Sequence, residues 1–139
     1  MSGDVVTFFI ATIIVGVLIF IAVLLTGKRN YHFNIEDYQI RFLKIENTLN
    51  KENYLSFANV ITEADKLLDK ALIEMGIPGK TMGERLKKSG TKFSNLNAVW
   101  RAHKVRNAIA HEAGFEVSFQ QAKNALEIYK QALKDLGAI

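Results

Sequence analysis

The chain has 139 residues, 23% of them charged, and a formal net charge of +4. It contains no cysteine, which excludes disulfide bridges and thiolate metal sites. The 3 histidines lack a metal-ligand spacing, and neither an H-E-x-x-H pattern nor a glycine-rich phosphate loop occurs, so no metal and no cofactor is predicted. All 18 lysine and arginine residues lie at or after Lys28, which makes the first quarter of the chain physically different from the rest.

The first predicted element is the uncharged stretch from Val5 to Leu25, VVTFFIATIIVGVLIFIAVLL. At about 1.5 Å per residue, a helix of this length spans roughly 30 Å, the thickness of a bilayer's hydrocarbon core. A signal peptide would need a basic N-terminal region and a small-residue cleavage site. Asp4 has the opposite charge, and the LLTG sequence at 24–27 is a poor cleavage site. We therefore predict an uncleaved transmembrane anchor over residues 1–27.

The charges that flank this anchor predict its orientation. Lys28 and Arg29 follow it directly, and basic residues favour the cytoplasmic side of a membrane. The sequence thus predicts a single-pass protein of the cell membrane with its N-terminus outside. Residues 28–34 are then a juxtamembrane connector, and residues 35–139 a cytoplasmic domain.

The cytoplasmic part is predicted to be all-α, because no alternating strand pattern persists and Pro78 is the only proline. Apolar residues recur at helical spacing, and two capping-box patterns begin at Thr81 and Ser118. The predicted elements are helices over about Ile35–Asn50, Tyr54–Met75, Asn95–Glu112 and Ser118–Leu136, with a short one from Thr81. The fold class is therefore a single N-terminal transmembrane helix followed by a four- to five-helix up-and-down bundle.

The helix with the sequence WRAHKVRNAIAHE, residues 100–112, carries unusual polar residues on its apolar side. At 100° per residue, Arg106 lies at the centre of the apolar stripe and His103 on its flank. A buried guanidinium is costly unless a carboxylate, a phosphate or a wet cleft accompanies it. Asp65 on the second bundle helix is the preferred partner, so we predict a structural ion pair between Arg106 and Asp65.

The R-N-x-x-x-H pattern at residues 106–111 resembles the HEPN superfamily. That family consists of small all-α domains, usually dimeric, and many members are metal-independent ribonucleases. The resemblance covers at most residues 35–139. The chain is also similar to a family of small membrane-anchored proteins of unknown function from bacteria with reduced genomes, in which stretches like ALIEMG, KTMGERLK, WRAHKVRNAIAHE and ALKDLGAI recur in this order.

The HEPN resemblance implies a homodimer and a catalytic site for RNA. Arg106 would hold the scissile phosphate, His111 would transfer protons, and Asn107 would orient either group, with His103 as an auxiliary outside the motif. The attacking group would be the 2′-hydroxyl of RNA, so no metal is required. The residues alone also allow a purely structural interpretation, in which Arg106 forms a buried ion pair and His111 interacts with the helix dipole.

A basic cluster near the third bundle element supplies candidate phosphate-binding residues: Arg85, Lys87, Lys88 and Lys104. Such a cluster is often only a solvated face, but it could hold RNA or the anionic inner leaflet. The sequence therefore favours a membrane-anchored binding or scaffold module whose protein partner is not identified. The alternative is a metal-independent endoribonuclease tethered to the membrane.

Overall fold

The computed structural model describes residues 3–26 and 32–139, which form six α-helices, one 3-10 turn and no strand. The prediction of an all-α chain is confirmed over these residues. Lys28 and Arg29, on which the predicted orientation rests, and most of the connector 28–34 lie outside the described residues. The elements are α1 (Gly3–Thr26), α2 (Ile35–Thr48), α3 (Leu55–Glu74), α4 (Met82–Lys88), the 3-10 turn (Gly90–Lys92), α5 (Leu96–His111) and α6 (Phe119–Asp135).

Helix α1 is long and apolar enough to cross a membrane, judged by its length and composition. Its stretch Gly3–Val23 has a mean hydropathy of 3.0, and none of it is buried inside the protein. The hydroxyls of Thr7 and Thr12 donate to the backbone carbonyls of Gly3 and Phe8, one turn earlier. These polar side chains are therefore satisfied within the helix, as an apolar surrounding demands.

The chain divides into two compact units, Met1–Asn30 and Tyr31–Ile139. In the second unit α3 is the central helix, and α2, α4, α5 and α6 all pack against it. This position follows from the sequence of α3, whose apolar residues cover a wide arc of the helix. Its fully buried members are Val60, Ile61, Ala64, Leu68, Ala71 and Leu72.

Local signals set the helix ends close to the predicted positions. Ser118 begins α6 with both bonds of a capping box, since its hydroxyl accepts from the Gln121 N–H and the Gln121 side chain accepts from the Ser118 N–H. At α4 the second bond differs from the prediction. Thr81 accepts from the Glu84 N–H as expected, but the Glu84 carboxylate reaches the N–H of Lys80 rather than that of Thr81.

Candidate functional site

A buried carboxylate on α3 joins three helices. The Asp65 side chain is only 3% exposed. Its Oδ1 accepts a hydrogen bond from the Tyr129 hydroxyl of α6 at 2.9 Å and lies 2.8 Å from Nδ1 of His103 on α5. Its Oδ2 lies 3.3 Å from Nε of Arg106. Since an ionised carboxylate can only accept, Nδ1 of His103 carries a proton.

The structure thus brings Arg106 and Asp65 together, as the pairing predicted from the sequence requires. The contact is an ion pair without hydrogen-bond geometry, because the buried Nε of Arg106 has no hydrogen-bond partner among the described residues. The helical wheel placed Arg106 at the centre of the apolar stripe, and in the structure 28% of its side chain is exposed. The reason is that the buried residues of α5 all lie in its first half: Ala98, Val99, Ala102 and His103.

Among the four candidate catalytic residues, His103 is the most deeply buried, although the sequence analysis predicted only an auxiliary role for it. The residue is 6% exposed. Its Nε2 lies 3.3 Å from the side-chain nitrogen of Asn107, and the Asn107 oxygen accepts from Nη1 of Arg106 at 3.1 Å. The Trp100 ring meets the His103 ring edge-on, with ring centres 5.9 Å apart. A continuous polar chain therefore runs from the core to Arg106.

Beside this chain lies an open groove of about 690 Å³ between α3, α4 and α5. Arg106, Asn107 and His111 all line it, so the three motif residues share one cavity. His111 is exposed at the last residue of α5. The half-buried Trp100, expected in the core or at an interface, packs against the core and also lines the groove.

The predicted phosphate-binding residues separate in the structure. Arg85 is 7% exposed, and its guanidinium makes two hydrogen bonds to the Asp69 carboxylate at 2.6 and 2.7 Å and a third to the Gly79 carbonyl. The bonds to Asp69 raise the pKa of Arg85. Three of its five N–H donors are therefore already used, and phosphate binding by Arg85 stays a prediction that this pairing with Asp69 disfavours.

The three lysines of that set are exposed, but only one of them faces the groove. Lys87 lines it, whereas Lys88 and Lys104 lie outside the residues that form it. Lys80, two residues before α4, also lines the groove. The surface that could meet a phosphate is thus smaller than the predicted cluster.

Tyr129 is the member of the site that the sequence did not indicate, since its spacing on α6 marked it only as a core residue. It is fully buried, and burial raises the pKa of its hydroxyl well above the usual value, with the charge of Asp65 adding to the effect. One feature of the sequence could have indicated its role: a buried tyrosine hydroxyl usually has a hydrogen-bond partner, so a core tyrosine predicts a polar group nearby.

No family model, curated protein or solved structure matches this chain.

Proposed function

We propose that residues 35–139 are a HEPN-like helical domain, anchored to the cell membrane by α1, that binds RNA in the groove beside Arg106. The observation that carries this proposal is the groove itself, about 690 Å³ in volume and lined by Lys80, Lys87 and Arg106. Lysine and arginine side chains along an open groove are the usual means of holding a nucleic acid backbone.

The acidic residues of the groove do not cancel this positive charge, because five lysine and arginine side chains line it beside three carboxylates. Asp69 pairs with Arg85 and Asp65 with Arg106, while Glu84 accepts from the backbone N–H of Lys80. In the part of the chain that the structure describes, neither Lys80 nor Lys87 has a carboxylate within 4.0 Å of its ammonium group. These two lysines therefore remain free to meet phosphates.

The test is fluorescence anisotropy of a short labelled single-stranded RNA with the full chain in detergent micelles. We expect Lys80→Gln/Lys87→Gln to weaken binding and to reduce the slope of log affinity against log salt by about 1.4, at about 0.7 per phosphate contact. The charge-matched control is Lys88→Gln/Lys104→Gln, which removes two exposed lysines outside the groove. Equal weakening by both pairs would show that the groove is not the binding site.

Cleavage is the second candidate function, and the shared position of Arg106, Asn107 and His111 favours it. In this reaction the 2′-oxygen of a ribose forms a bond to the adjacent phosphorus while the bond to the 5′-oxygen breaks. His111 takes the proton from the 2′-hydroxyl and delivers it to the departing 5′-oxygen, a transfer for which histidine is suited near neutral pH. Arg106 stabilises the charge on the phosphoryl oxygens. The products are a cyclic 2′,3′-phosphate and a free 5′-hydroxyl.

A homodimer would complete such a site with the motif residues of a second copy. The second half of α5 is available for this contact, since Ala110, Ala113 and Phe115 are exposed at and beyond its end. In the resembling ribonucleases, arginine and histidine from two subunits meet in a cleft at the dimer interface.

The cleavage test uses RNA in the presence of a chelator, with the wild-type chain and His111→Ala side by side. We expect the wild type to cut and His111→Ala to lose cutting while it keeps its helical circular dichroism. A matched oligonucleotide with a deoxyribose at the scissile position should not be cut. Cutting of that substrate, or full activity in His111→Ala, would leave binding as the function.

A further inference from the structure

A chain of hydrogen bonds connects the core to the groove through His103 and Asn107. On the core side, Nδ1 of His103 lies 2.8 Å from Oδ1 of Asp65. On the groove side, Nε2 of His103 lies 3.3 Å from Nδ2 of Asn107, and Nη1 of Arg106 donates to Oδ1 of Asn107 at 3.1 Å. Arg106 thus receives support from an imidazole that it does not touch.

Only one protonation state of His103 satisfies every contact in this chain. Asp65 accepts from Nδ1–H, so the neutral ring presents a lone pair at Nε2. The group that can donate to this lone pair is the Asn107 amide, which then turns its oxygen towards Arg106. A guanidinium has donors only, so the last contact fits as well.

We propose that neutral His103 is a positioning residue that fixes Nη1 of Arg106 at the groove through Asn107, and that a second proton on its ring releases Arg106 from Asn107 and leaves it held by its ion pair with Asp65 alone. With Nε2 protonated, two donors face each other, and the Asn107 amide must rotate. Rotation turns the Asn107 NH₂ group towards Nη1 of Arg106, which breaks that contact too. The inference rests on the proposed function insofar as Arg106 meets a phosphate.

The surroundings of His103 leave Asn107 as the group that responds to its charge. Asp65 from α3 faces Nδ1, and Tyr129 from α6 shares its Oδ1. From α4, Gly83 lies close to the ring, since an added Cβ there would stand 3.8 Å from Nε2. Besides Arg106, the charged or titratable groups lining the groove are Lys66, Asp69, Lys80, Glu84, Arg85, Lys87 and His111.

The first experiment follows the side chains directly, by ¹⁵N NMR of the full chain in detergent micelles between about pH 8 and about pH 5, where histidines titrate. We expect His103 to be the Nδ1–H tautomer at the upper end. The Asn107 amide and Arg106 guanidinium signals should change with the same midpoint as the His103 ring. The glutamine of His103→Gln has an NH₂ donor group and a carbonyl acceptor but cannot become a cation. In this variant the Asn107 and Arg106 signals should stay at their high-pH positions.

An Nε2–H tautomer at neutral pH, or Arg106 signals that move equally in His103→Gln, would overturn the proposal. If His103→Gln does not fold, Asn107→Leu replaces it, and there the Arg106 signals should no longer follow the His103 midpoint. Persistence of that common midpoint in Asn107→Leu would equally overturn it.

The second experiment measures the consequence for RNA, with the labelled single strand used above. Wild type and His103→Gln should bind alike at the upper pH, and wild type should be about tenfold weaker than His103→Gln at the lower pH, the effect of losing one charge-assisted hydrogen bond. A constant ratio of affinities would contradict the release of Arg106. Absence of RNA binding by the wild type at every pH would refute the proposed ligand, while the NMR result would still decide the inference about His103.

Discussion

At the residue scale, Asp65 is the carboxylate on which the polar interior depends. We expect Asp65→Asn to lower the free energy of unfolding by about 3 kcal/mol, because it leaves the partly buried Arg106 without its counter-charge and weakens the bonds from His103 and Tyr129. Removing one partner of a buried ion pair usually costs about 3–5 kcal/mol. The lower end of that range applies here, because the Arg106 side chain is 28% exposed. Urea denaturation of the full chain in micelles, followed by circular dichroism, measures the change.

The matched control is Glu63→Gln on the same helix. Glu63 pairs with Lys66 at 2.8 Å, but both side chains are about half exposed. Exposed pairs contribute little, so the expected loss is below about 0.5 kcal/mol. An equally small loss of unfolding free energy in both variants would contradict the buried network around Asp65.

Two buried tyrosines should make the fold sensitive to alkali. Burial raises the pKa values of Tyr38 and Tyr129, so the folded state keeps protons that the unfolded state loses above about pH 10. The stability they provide is fully present below that pH and falls as the pH rises, by up to about 1.4 kcal/mol per pH unit for each group. Denaturant titrations at several alkaline pH values should show a smaller slope in Tyr129→Phe than in the wild type. An unchanged slope would contradict the burial of this hydroxyl.

The same residues show how far the sequence can predict a site. Spacing on one helix identified Arg106 as an inward cation, and the choice of Asp65 needed only the apolar face of α3. The role of His103 depends on contacts among α3, α5 and α6, and the residue pattern of a single helix cannot show such contacts. The pairing of Arg85 with Asp69 was not predicted, because it depends on how α4 packs against α3.

At the element scale, helix ends were predictable because their signals are local. Gly76, Gly114 and Gly137 follow the predicted ends, and each has a positive φ, between 70° and 76°. The extent of the core was less predictable. Ala110, one turn after Arg106, lies on the side of α5 that carries the apolar stripe, yet it is exposed, because the buried residues of α5 end at His103.

Gly137 gives the element-scale prediction. An added Cβ there meets nothing within 4 Å, so only the backbone φ of 75° opposes a side chain. We expect Gly137→Ala to cost about 1 kcal/mol of stability, because the left-handed conformation is unfavourable for alanine. Gly137→Asn should recover part of that loss, since asparagine tolerates this conformation better. Thermal or urea unfolding that ranked Asn below Ala would contradict this account.

At the scale of the whole molecule, the proposed topology follows from two regions of different chemistry. The apolar α1 bears only Asp4 as a charge, whereas the 18 basic residues all lie after it. We propose that α1 inserts with the basic domain on the cytoplasmic side, because basic flanking residues favour that side of a membrane. Because the protein has no cysteine, single cysteine variants can report each side of the membrane without background.

We expect a membrane-impermeant maleimide to label Ser2→Cys on intact cells and to label Lys88→Cys only after the membrane is opened. Lys88 suits this purpose because it is exposed and lies outside the groove. The mass of the membrane-bound protein distinguishes an anchor from a signal sequence, because a protein with an uncleaved anchor still contains residues 1–27. Labelling of Lys88→Cys on intact cells would reverse the orientation and place the groove outside, away from cytoplasmic RNA. Loss of residues 1–27 would instead release the helical domain from the membrane and remove the basis for a tethered function.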